Sequence, residues 1–218
     1  MIRRRRLAAT AALLVLAGGL CGFAPAGGAY VARLQALALL QTLNADLLSH
    51  DSATAVLQDW CDAHGPGGLK IKAERVLGQE KPLPAEAKTA LGVGAGVRVR
   101  YRRVRLACGA NVLSEADNWY LPDRLTVQMN QTLDATDTPF GVVVRPLDFR
   151  RRNLSAELLY RPLARGWEIS SAPDDRPVGP FPAQVLQHRA VLSTAAGTPF
   201  SYVVETYTGA VLDMAEPR

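Results

Sequence analysis

"VRVRYRRVRLAC", Val97 to Cys108, is the stretch on which the fold turns. Val97, Val99 and Tyr101 alternate with Arg98, Arg100 and Arg102, the period-two pattern of a half-buried β-strand with arginines toward water. The parity then slips. Arg103 takes the next place on the apolar face, while Val104, Leu106 and Cys108 continue the apolar set on the other. Two readings fit: a β-bulge at Arg102 and Arg103 restores the register, or Arg103 is a guanidinium aimed into the protein.

Outward from this strand, Gly109-Ala110-Asn111 makes a turn and Val112 to Tyr120 an antiparallel partner. Upstream, leucines at 34, 37, 40, 43 and 47 recur at helical spacing between Tyr30 and Leu48. Asp51 or Ser52 caps a second helix, Ala53 to Cys61, which ends at Gly65 to Gly68. Residues 69 to 77 make a short strand, and Gly78 to Gly96 read as connection. Downstream, Pro122 opens a helical stretch through Leu125, Met129 and Leu133, and Val142 to Leu147 and Ser155 to Tyr160 read as strands. Gly166 to Ala183, rich in Pro, Gly and Asp, reads as a long loop or flap. Val185 to Ser193 and Phe200 to Tyr207, on either side of Gly197, suggest a closing hairpin. Short helices followed by strands without regular helical crossovers predict an α+β domain with one antiparallel sheet.

The chain of 218 residues is 48% hydrophobic and 21% charged, enough to bury one core. Arg3 to Arg6, the apolar run Leu7 to Leu20 and Ala24-Pro25-Ala26 form the three zones of a secretory signal. Cleavage is expected near Ala26, with Ala29 as second choice, giving an exported, periplasmic or secreted domain over residues 27–218. An uncleaved membrane anchor is the weaker reading, because the apolar run falls short of the roughly 20 residues of a span. Without residues 1–26, four arginines leave with no acid, so the excess of 25 basic over 20 acidic residues all but disappears. Nucleic acid is therefore not expected as a partner, nor stable membrane insertion after cleavage, and Arg150-Arg151-Arg152 reads as a solvated face or loop. Cys61 and Cys108 remain as an even pair, a candidate disulfide in an oxidising compartment, with the distance between them undecided by sequence.

Familiar catalytic, nucleotide and metal motifs are absent, and Cys61 with His64 is only half a zinc-like spacing, so no metal or cofactor is expected. Three features stand out: Arg103, the Thr138-Pro139-Phe140-Gly141 turn, and Glu205 inside the apolar run "SYVVETYT". A buried acid and a buried arginine are costly alone and tolerable if paired, or if a ligand supplies the counter-charge. On the residues alone, a structural Arg–Glu pair is the preferred reading.

From about Leu47 to about Val211 the chain resembles the chorismate pyruvate-lyase family, whose fold is shared by ligand-binding domains of certain bacterial transcription regulators. "LLSHDSAT" resembles the family's helix-entry segment, with Ala53 at the ligand-touching place. "RVRLACG" followed by "WYLP" resembles the strand pair carrying the ligand-binding arginine, here Arg103. "TDTPFG" resembles the Thr-Pro-Leu-Gly turn, with Phe140 at the contact position, and "GTPFSYVVETYT" resembles the last strand, with Glu205 as its glutamate. The resemblance implies an antiparallel sheet with helices packed on it and an internal pocket covered by flaps. It favours the inward reading of Arg103, which would hold a ring carboxylate. Glu205 would act as general acid on the departing enolpyruvyl ether, and Ala53 and Phe140 would shape the wall.

Two functions are then expected. The first is an exported lyase releasing pyruvate from chorismate to leave an aromatic hydroxy acid such as 4-hydroxybenzoate. The second, favoured by export away from the chorismate pool, is a non-catalytic periplasmic protein binding a small aromatic or other carboxylate in the same pocket. The sequence does not say which ligand or which oligomeric state.

Overall fold

In a computed structural model, which describes residues 27–169 and 179–215, the chain runs α1 (Gly28–Ser49), α2 (Ala53–His64), β1 (Ile71–Arg75), α3 (Ala85–Leu91), β2 (Arg100–Cys108) and β3 (Asn111–Tyr120). It continues through α4 (Val127–Ala135), α5 (Phe140–Val144), β4 (Arg150–Leu158), β5 (Leu186–Ser193), β6 (Pro199–Tyr207) and α6 (Ala210–Asp213). The six strands form one antiparallel sheet in the order β1-β2-β3-β6-β5-β4. The expected α+β class with helices packed on a single antiparallel sheet is what the chain adopts. The export signal read at residues 1–26 lies outside the described residues, as do residues 170–178 of the expected flap.

The register of β2 resolves the opening question differently from either reading. Pairing with β3 runs evenly from Arg100 opposite Tyr120 to Leu106 opposite Ser114, and the irregularity comes at Leu106 and Ala107, past the two arginines. Val97 and Val99, which suggested the register, precede the strand, and Val97 is exposed. Val104 and Leu106 are buried and set the core face, so Arg102, of the same parity, goes in with them. Gly109 makes the turn into β3 at φ 60°, where a side chain would be strained and would also press on Leu69.

Three other expectations change. Val142 to Leu147 is helical, not a strand: Phe140 and Val144 are buried in one cluster while Val142 is exposed, a spacing of four. The stretch read as connection contains α3, whose Ala87 and Leu91 cover Trp119 and Tyr202. The arginine triple belongs to β4, which puts Arg151 inside while Arg150 stays exposed.

The core positions the site. On one face of the sheet, Leu40, Leu43 and Leu47 of α1, Val56, Leu57 and Trp60 of α2, and Val211 and Leu212 of α6 pack over Leu106, Leu186 and Tyr207. A second cluster gathers Met129, Leu133, Phe140, Val144 and Phe149 against Tyr120, Leu192 and Phe200. Where the clusters leave room, the sheet carries the short side chains Val104, Ala116, Ala190 and Val203. Cys61 and Cys108 form a disulfide, Cα–Cα 5.9 Å, tying α2 to the end of β2. Among the described residues, no helix is long and apolar enough to cross a membrane.

Candidate functional site

A pocket opens over those short side chains. Val104, Ala116 and Val203 make its floor, Phe140 and Phe149 one wall, and the first turn of α2, from Asp51 to Thr54, another. Arg102, Asn118, Arg151 and Glu205 supply the polar groups. The α2 turn is held by its cap: the Ser52 hydroxyl accepts from the Ala55 N–H at 3.3 Å. Asp51 accepts from the backbone N–H of Arg151 at 2.7 Å, fastening the start of β4 to the same corner.

The two inward arginines differ in their partners. Arg151, its side chain 3% exposed, donates to Glu205 at 2.5 Å and to Asn153 at 2.8 Å. Burial alone would lower its pKa, but the adjacent Glu205 carboxylate outweighs that and the pKa is raised. Arg102, 6% exposed, donates through Nη2 to the carbonyls of Thr136 and Thr138, both at 3.0 Å. Its buried Nε and Nη1 have no hydrogen-bond partner. Burial, and secondly the charge of Arg75, pull its pKa down to about 10. The pocket therefore holds the Arg151–Glu205 ion pair, the Asp51 carboxylate engaged by the Arg151 N–H and 4.0 Å from Arg150, and one buried cation with unspent donors, beside the N-terminal turn of a three-turn helix. That combination favours an anion.

The residues expected from sequence divide. Ala53, Phe140 and Glu205 all line this pocket. Arg103 does not. It points from the opposite face of the sheet, donating to Glu115 at 2.5 Å and standing 3.7 Å from Asp117, and there the acids outweigh burial and raise its pKa. The ring-carboxylate role given to Arg103 is corrected for that reason. Glu205 accepts from both Arg151 and Tyr207, the latter at 3.2 Å, and is an ion-pair member held in place, not the free proton donor of the expected mechanism. Sequence reasoning missed Arg102, Arg151, Asn118 and Phe149. For Arg102 the signal was its parity with Val104 and Leu106; for Arg151 the surrounding arginines hid it. Among the described residues no group of three His, Cys, Asp or Glu is placed to hold a metal ion.

No family model matches the chain. The crystal structure of PhnF from Mycobacterium smegmatis aligns at TM-score 0.48 and 17% identity over 74% of this chain, which spans 65% of that protein. The effector domain of the same protein aligns at TM-score 0.47 and 16% identity over 73% of this chain and 89% of that domain. The ligand-binding domain of a GntR-family regulator from Bordetella bronchiseptica aligns at TM-score 0.41 and 20% identity over 63% of this chain and 84% of that domain. With Arg103 on the opposite face of the sheet and Glu205 paired with Arg151, the expectations of a chorismate lyase and of a carboxylate binder built on Arg103 are both corrected. The uncharacterized protein y4mC of Sinorhizobium fredii is 50% identical over 194 residues, 87% of this chain and 82% of that protein. A sheet whose inner face carries a pocket with one unpaired arginine is thus the structure of a chain that belongs to the y4mC family.

Proposed function

We propose that this is a non-catalytic small-molecule-binding domain, an effector domain whose inner pocket takes a ligand by an anionic group. One observation carries the reading: Arg102, nine-tenths buried, keeps N–H donors on Nε and Nη1 with nothing to receive them. Buried donors are rarely left unpaired, and an unpaired buried cation asks for a counter-ion. The absence of catalysis is supported by the commitment of Glu205 to Arg151 and Tyr207. Phe140 and Phe149 offer flat apolar contact beside Arg102 and support an aromatic acid as one ligand of the class.

Calorimetric titration with benzoate and 4-methylbenzoate tests it. The parent is expected to bind and Arg102→Met to lose at least a hundredfold in affinity. Equal affinities in the two proteins would reject the reading.

A further inference from the structure

The inner pocket is not closed. Beside it lies an outer chamber between α2 and the segment from Pro139 to Arg150, and Asp51, Ser52, Thr54, Gly141 and Phe149 line both. The rim of this chamber carries Lys70, Arg145 and Arg150 against Asp51 and Asp148. The two acids share one arginine: Arg150 lies 3.3 Å from Asp148 and 4.0 Å from Asp51. Among the described residues neither Lys70 nor Arg145 has an ion-pair partner.

Both of these cations sit on backbone that is held. Gln58 of α2 donates to the Leu69 carbonyl at 3.0 Å and accepts from the Ile71 N–H at 2.9 Å, gripping the chain on either side of Lys70. The Arg145 carbonyl accepts from the Asp148 N–H at 3.0 Å, closing a tight turn in which Asp148 adopts φ 44°. Phe149 follows directly and forms part of the wall common to both chambers.

Resting on the reading of the inner pocket as an anion site, we propose that the outer chamber is a second anion subsite. The ligand is then a molecule with two acidic groups. One is held by Arg102 and the first turn of α2, the other by Lys70 and Arg145, and the body between them passes Phe149.

Calorimetry on the intact chain tests this with benzoates carrying a second carboxylate at the para position, attached directly, through one methylene or through two. Para-alkyl benzoates of matching length serve as controls. At least one diacid is expected to bind about tenfold or more tightly than its matched monoacid. Lys70→Ala with Arg145→Ala should bring it back to the monoacid level while monoacid affinity stays within twofold. Equal affinities of diacid and monoacid at every length would overturn the outer subsite and leave the inner pocket standing. So would a double variant that keeps the diacid preference. If no benzoate of either kind binds the parent, the inner-pocket reading falls, and this proposal with it.

Discussion

Replacing Arg102 by methionine should leave stability nearly unchanged while replacing Arg151 should lower it sharply, though both arginines are buried in one pocket. The pull on Arg102 from the ordinary guanidinium range down to about 10 corresponds to a folded state penalised by about 3 kcal/mol for keeping that charge. Methionine removes the penalty and fills much of the same space. It forfeits the two bonds to the Thr136 and Thr138 carbonyls, about 1–1.5 kcal/mol each. The terms nearly cancel, so Arg102→Met is expected within about 1 kcal/mol of the parent. Arg151→Met instead strands Glu205, whose side chain is 11% exposed, with Tyr207 as its remaining partner. An uncompensated buried charge of this kind costs about 3–5 kcal/mol. Equilibrium urea unfolding without ligand measures both. A loss of 3 kcal/mol or more in Arg102→Met would mean its guanidinium is satisfied in the free protein, and the argument for a missing anion would fail.

Burial pulls the His188 imidazole down to about 4, so between about 4 and 6.5 the unfolded chain binds the extra proton and stability falls as pH falls. The loss approaches about 3 kcal/mol below pH 4, and unfolding curves of His188→Gln should lack this share of the acid sensitivity. The Cys61–Cys108 bridge spans a sequence separation of 47, so reducing it or replacing both cysteines by serine should cost up to about 4 kcal/mol by loss of the loop constraint, read as a lowered urea midpoint. Ala116→Leu fills the pocket floor. It should abolish benzoate binding in calorimetry while changing the unfolding midpoint by less than the cysteine pair does.

The parts of the fold legible in the sequence are those where one face is buried and the other wet. β5 and β6 show as the two apolar runs on either side of Gly197, and Ser52 announces α2 by the side-chain acceptor a first turn needs. Where the pattern had another possible cause, it misled. Val142, Val143 and Val144 are β-branched and read as a strand, yet the burial of Phe140 and Val144 sets a helical period. α3 is seven residues with two buried positions, too short for periodicity to register. For the site, Ala53, Phe140 and Glu205 were reachable by resemblance because each occupies a short motif. Counting Val97 and Val99 as strand makes Arg103 the residue out of step, and the resemblance points to the same position, but the strand starts only at Arg100. The anchor of a strand's register is its buried centre, Val104 and Leu106, and arginines at its mouth follow from that. Arg151 gave no signal, since a run of three arginines looks solvated until an acid from a strand far along the chain is found beside the middle one.

The strand order has a consequence for how the site comes into being. The hairpins β2–β3 and β5–β6 each close between neighbours in the chain, but the pocket floor requires β3 to lie against β6. Ala116 faces Glu205 and Asn118 faces Val203, with all of residues 121–200 between them. Local hairpins form in microseconds, whereas such distant pairings wait on the closure of a long loop. No half-folded chain can therefore offer a floor to a ligand. A ligand on that floor favours the docking of the two hairpins, and occupancy should appear in hydrogen exchange as slowed opening along the β3–β6 seam. A molecule lodged there acts as a clasp between two strands that the chain itself leaves far apart.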